Sequence, residues 1–190
     1  MRRRALACLL GCALLAGCSA TPAPVAVFSE QDGRLVLEPQ RFGWLSSARE
    51  TGTLPSAIAV GARTSGRLLL YFEFPELTEQ RKLLRAQLLL SPAQGRGERV
   101  PVELSRSAAP GAELRRWSDQ PRALYPRVSS ELSAQAFPVR LDVTEILRVR
   151  PVRGEPLRLL LRAEPGEGEG VLVATGVSGG ELPRLELYFQ

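Results

Sequence analysis

The chain of 190 residues contains no histidine. That absence excludes Ser-His-Asp and Cys-His nucleophile systems, histidine-ligated zinc and imidazole general bases. Lysine occurs once, as Lys82, and arginine supplies every other basic group, a bias that reads as GC-rich coding rather than a binding surface. Asp32, Asp119 and Asp142 are the only aspartates. Cysteine is confined to the start: Cys8, Cys12 and Cys18, with none in the rest of the chain. A disulfide framework for the body of the protein is therefore excluded.

The formal charge is +5, but Arg2, Arg3 and Arg4 lie ahead of an apolar run. Without them the balance is 22 basic against 20 acidic groups, counted from the 25 and 20 of the whole chain. The two signs are interspersed, as in RAEPGEGEG, and no basic stripe is long enough to follow phosphates. Nucleic acid is not an expected partner.

What is present begins with MRRR, a positive n-region, followed by ALACLLGCALLAG. Thirteen apolar residues are short for a bilayer span and right for a signal-peptide core. Leu15-Ala16-Gly17-Cys18 then resembles the lipobox of bacterial lipoproteins, in which small residues admit the backbone to the peptidase and the cysteine thiol takes the lipid. The sequence thus predicts a signal peptide over 1–17 and lipidation of Cys18, the alternatives being an ordinary secretory signal with a chance cysteine or a short membrane anchor. Ser19, where Asp would retain a Gram-negative lipoprotein at the inner membrane, points to the outer membrane. The expected location is the bacterial cell envelope, with the membrane as partner through the N-terminal lipid. Residues 18–33, in which SATPAPVAV follows Cys18, read as lipidated cysteine and flexible tether; 34–190 read as one domain.

Within that domain the hydrophobic period is two. Leu68, Leu70, Phe72 and Phe74 share one face; so do Ala86, Leu88 and Leu90, then Val100, Val102 and Leu104. The same alternation places Val139, Leu141 and Val143 together, then Leu157, Leu159 and Leu161, then Leu185, Leu187 and Phe189. RLVLEPQRFGW is a first strand or an ordered arm. SPAQGRG, AAPGAE, RGEP, EPGEGEG and GVSGGELP are turn signals. Only TEILRV looks like a helical turn, and residues 107–136 show no clear period. The expected fold is all-β, an antiparallel two-sheet β-sandwich of jelly-roll type.

Trp117 with Tyr125, Arg115, Arg116, Arg122 and Arg127 is the best candidate ligand-binding set, since aromatic faces stack on sugar rings and guanidinium groups pair with sugar carboxylates. The structural alternative is a core tryptophan with solvated arginines. Asp142 and Thr144 are expected to cap the TEILRV turn or bond their own backbone rather than bind metal. EPGEGEG lacks the ligand pattern of a calcium loop and reads as a hairpin tip. No pair of acids is marked as a glycosidase couple, so neither catalysis nor a cofactor is expected. Leu69, Leu89 and Leu160 sit on nominally outward faces and are the first suspects for an exposed apolar docking patch, the alternative being that they face the second sheet or lie under loops.

GARTSGRLLLYFEFPEL with LLRAQLLL, then Trp117 to Pro121, then Val139 to Thr144, and finally RLLLRAE with LPRLELYF resemble, in order, the segments of the DNRLRE-type domain. The resemblance covers residues 46–190, with Glu73 where that family usually has Asp. It implies an extracellular jelly-roll module serving as an accessory or stalk, and related modules bind acidic polysaccharide. The functional expectation is a non-catalytic, lipid-anchored envelope protein acting as a structural or protein-interaction module on another envelope protein or assembly. The alternative is a lipoprotein that binds acidic polysaccharide.

Overall fold

The computed structural model describes residues 27–29, 33–47, 57–61, 66–73, 81–94, 99–108, 117–133, 138–149, 156–163, 170–176 and 181–190. Cys18, Arg115, Arg116 and most of EPGEGEG lie outside them, as does the side chain of Trp117.

The described residues form thirteen strands in chain order: β1 (Val27–Ser29), β2 (Arg34–Leu37), β3 (Arg41–Ser46), β4 (Ala57–Val60), β5 (Gly66–Phe72), β6 (Leu83–Leu90), β7 (Pro92–Gln94), β8 (Arg99–Ser107), β9 (Ala123–Ser133), β10 (Val139–Asp142), β11 (Leu157–Ala163), β12 (Val171–Ala174) and β13 (Arg184–Phe189). One helix, α1 (Thr144–Arg148), lies between β10 and β11, and a 3₁₀ turn spans Trp117–Asp119. All strand pairings are antiparallel.

The strands make two five-stranded sheets, ordered β1-β2-β13-β6-β10 and β3-β5-β11-β8-β9, and a three-stranded sheet β4-β12-β7. Setting aside β1 and β3 at the edges leaves β2-β13-β6-β10 facing β5-β11-β8-β9. Successive core strands cross between the two sheets, except for the β8–β9 hairpin. That order is the double Greek key of a jelly roll.

The period-two faces meet in the middle. Leu68, Leu70, Phe72, Leu159 and Leu161 of one sheet and Leu88, Leu90, Leu141, Leu185 and Leu187 of the other belong to one buried cluster. Each such side chain contributes roughly 1.5–3 kcal/mol on leaving water. The third sheet adds Ile58, Val60, Val171 and Val173 to the same cluster, and α1 adds Ile146 and Leu147.

Three local features differ from the sequence reading. Among the described residues a strand is already present at Val27–Ser29, within the stretch read as tether, where β1 pairs antiparallel with β2; Gly33, just before β2, has a φ of 62° that suits glycine. RLVLEPQRFGW is two strands in opposite sheets, split at Glu38-Pro39-Gln40. The aperiodic region 107–136 contains β9, an eleven-residue edge strand. Its alternation is hidden because Pro126, Val128, Ser130 and Leu132 share the inward side, and of those four Ser130 is polar and Pro126 reads as a strand breaker. Where Ser105 pairs with Arg127, the next pair is Arg106 with Leu124. Tyr125 and Pro126 are left over as a bulge, joined by a cis peptide bond.

Candidate functional site

The outer surface of the β3-β5-β11-β8-β9 sheet carries the described members of the predicted site. A bulge bends its strand and re-aims the side chains in it, and Tyr125 stands 78% exposed. The guanidinium of Arg127 lies over its ring, 4.8 Å from the centroid, a cation–π stack. Arg127 also reaches Glu103, with Nη1 3.6 Å from Oε2. The other carboxylate oxygen of Glu103 accepts from Arg162 Nη1 at 3.1 Å. Arg122 is exposed just before β9, and its carbonyl accepts from Ala108 N at 2.9 Å. The structure thus brings Tyr125 and Arg127 together, and places Arg122 at the entry to the same strand. Trp117 begins the 3₁₀ turn that leads into it.

The opposite surface, on the β1-β2-β13-β6-β10 sheet, holds a group the sequence reading missed. Glu186 alternates outward on β13, yet is only 2% exposed. Its carboxylate is gripped by Arg34 of β2 and accepts from the Tyr188 hydroxyl at 2.8 Å, with Arg140 Nη1 of β10 3.7 Å away. Burial pushes the Glu186 pKa up, but the bonds from Tyr188 and Arg34 and the charges of Arg34 and Arg140 outweigh it and hold the group below its ordinary value. Glu-x-Tyr at positions 186 and 188 was the one local signal, since residues two apart on a strand share a face. The arginines come from distant strands and left no trace nearby.

At the far edge of that surface Asp142 bonds the local backbone, while the N-cap position of α1 is Val143 with no side-chain cap. Its Oδ1 accepts from Thr144 N at 2.9 Å and from the Thr144 hydroxyl at 2.6 Å. Thr144 Oγ1 in turn accepts from Ala86 N at 2.9 Å, latching α1 to β6. Burial raises the Asp142 pKa, but these bonds and nearby Arg85 and Arg148 bring it below normal. Among the described residues no group of three or more acids, cysteines or histidines gathers at metal-binding range.

Charge is sorted by element. The described strands carry eleven arginines and only four acids: Glu103, Glu131, Asp142 and Glu186. Each of the four has a partner, Glu131 being 3.9 Å from Arg99. The surfaces of both sheets are therefore cationic, with their carboxylates already engaged.

No family model matches the chain, and no curated protein shows significant similarity to it.

The apolar patch expected at Leu69, Leu89 and Leu160 is not available, since these side chains are 1%, 2% and 1% exposed. Leu69 and Leu160 are direct cross-strand partners at the middle of their sheet, with Gly43 opposite Leu69 on one side and buried Ser105 opposite Leu160 on the other. Leu89 stands in register between Arg140 and Arg184, and long arginine stems beside a leucine screen it from water. Alternation alone assigned these leucines to solvent, whereas central position in a wide sheet removed them from it. The large apolar or aromatic side chains that remain exposed among the described residues are Leu84, Tyr125, Val149 and Leu182.

Proposed function

We propose that the protein is a non-catalytic module of the bacterial cell envelope, fixed to the membrane by lipid on Cys18. It works by holding another envelope protein or assembly. The observation that carries this reading is the state of the strand acids. Glu103 is held by Arg127 and Arg162, Glu131 lies by Arg99, Asp142 by Thr144, and Glu186 by Arg34, Arg140 and Tyr188. Acid–base chemistry needs a carboxyl able to trade its proton with a substrate, and glycoside hydrolysis needs two across a cleft. Strand carboxylates occupied by arginine, tyrosine or threonine partners serve the fold.

The lipobox-like ending of the leader supports the anchor, and Ser19 supports the outer membrane as its destination. The jelly-roll strand order supports the kinship with DNRLRE-type accessory modules that the sequence resemblance implies. The test is metabolic labelling with a fatty-acid probe, joined to capture of the intact protein from its own envelope. Labelling of the wild type, its loss in Cys18→Ser, and one reproducible protein partner are the expected results. Unlabelled wild-type protein shed into the medium would sink the proposal.

A second reading, recognition of acidic polysaccharide, is favoured by one observation: the 78% exposed ring of Tyr125 with Arg127 stacked on it. An aromatic plane beside a cation is the pairing a uronic-acid ring needs. Arg122 adds a second guanidinium at the strand entry. Retention on immobilised uronic-acid polymer is the measurement, and a blank result with every acidic polymer removes this reading.

A further inference from the structure

A second group of residues on the β3-β5-β11-β8-β9 surface has no role in either reading. In register, Arg41 of β3 and Arg158 of β11 both stand opposite Tyr71 of β5. Residues directly opposite on antiparallel strands hold their Cβ atoms about 5 Å apart, so two guanidinium groups flank one phenol within reach of a single small ligand. Among the described residues neither arginine has an ion-pair partner. The acids of this surface are engaged elsewhere, Glu103 and Glu131 by other arginines and Glu73 by Gln40. Arg158 Nε is buried without an acceptor. Two neighbouring cations without counter-charge repel one another, and an orphaned buried N–H is costly. An anion seated over Tyr71 relieves both.

The row also sits where the chain enters the fold. Gln40 N donates to Tyr71 O at 2.8 Å, and Val36, four residues earlier, is paired with Val27 at the start of β1. Four residues span at most about 14 Å, and the nine steps from Cys18 to Val27 at most about 32 Å. A lipid on Cys18 therefore keeps this end of the sandwich within reach of the headgroup layer.

We propose that Arg41, Tyr71 and Arg158 form an anion site for phosphate, presented by headgroups of the membrane that holds the Cys18 lipid. This rests on the lipid-anchor reading. Two arginines and a tyrosine stand abreast on three neighbouring strands, both charges near enough to act on the phenol. A tetrahedral phosphate offers acceptors in more than one plane, whereas a carboxylate offers two oxygens in one plane. Burial raises the Tyr71 pKa against the lowering effect of Arg158 and Arg41, so its hydroxyl remains a donor at neutral pH.

The test uses the full lipidated protein and reads phenylglyoxal modification of single arginines by mass spectrometry. Three settings are compared: phosphatidylcholine vesicles, vesicles containing phosphatidylglycerol, and detergent with or without inorganic phosphate. Phosphate at twice its Kd leaves a third of the sites open, so modification of Arg41 and Arg158 should slow about threefold. Exposed Arg99, beside Glu131, should keep its rate. Phosphatidylglycerol should protect the same pair, and Arg158→Gln should abolish protection at Arg41. Unchanged rates at Arg41 and Arg158 in every setting overturn the site. Protection by inorganic phosphate without protection by vesicles keeps the anion site and overturns its lipid source. Because the detergent arm does not depend on the acyl chain, a chain found unacylated at Cys18 defeats the anchor without deciding the site.

Discussion

Glu186 accepts a hydrogen bond from Tyr188, two residues further along the same strand, at 2.8 Å. The pair turns an outward, nominally solvated position into a buried carboxylate that ties β2 and β10 to β13. Because the Glu186 pKa is lowered in the folded state, its contribution to stability is fully present above the unfolded value near 4.3. It is lost as pH falls from there through the folded pKa. Glu186→Gln should therefore destabilise the protein at pH 7 and make little difference once both states are protonated. The half-exposed arginines limit the loss at neutral pH to about 1–2 kcal/mol. Urea melts of both chains across the acid range check this, and parallel curves at every pH would refute it.

Thr144 gives a sharper case. Thr144→Val keeps the shape of the side chain but leaves Ala86 N without its acceptor, which should cost about 1–3 kcal/mol. Thr144→Ser retains the hydroxyl and should recover most of that loss. Equal destabilisation by the two variants would mean that the γ-methyl, not the oxygen, is what matters there.

Leu160 distinguishes a core-like position from a surface one. If it were a solvent-facing leucine, Leu160→Ala would leave stability within about 0.5 kcal/mol. At 1% exposure it should instead cost about 2–5 kcal/mol, as a buried truncation does. A chemical denaturation midpoint that does not move would contradict the burial.

Tyr125 should behave in the opposite way. Its exposure predicts that Tyr125→Ala changes folding stability by no more than about 0.5 kcal/mol. Retention on acidic polysaccharide, wherever the wild type is retained, should fall clearly in the same variant. A stability loss that tracks the loss of retention would show that the ring supports the fold instead.

The sequence disclosed the core well and the surfaces poorly, for a physical reason. Inward residues such as Leu68, Leu70, Leu88 and Leu187 announce themselves because alternation is a property of neighbours along one strand. Glu186 finds Arg34 across 152 positions, and Arg41, Tyr71 and Arg158 meet only after β3, β5 and β11 are placed side by side. Their adjacency is fixed by strand order, which period two does not encode. Strands β4 and β7, with four and three residues, were too short to show any period. The six-residue candidate set was legible in composition, yet geometry is described only for Arg122, Tyr125 and Arg127.

The free margin of β9 has a bearing on neighbours of the same kind. Among the described residues no strand pairs with the outer side of its eleven residues, and such an open ladder, repeated on copies held shoulder to shoulder in one plane, would invite them to zip into a continuous ribbon. The leftover Tyr125-Pro126 step, which breaks the ladder and offers no proline N–H, and the alternating charges of Arg127 and Glu131 stand against that. Crowding at a surface can then raise the number of copies without fusing them.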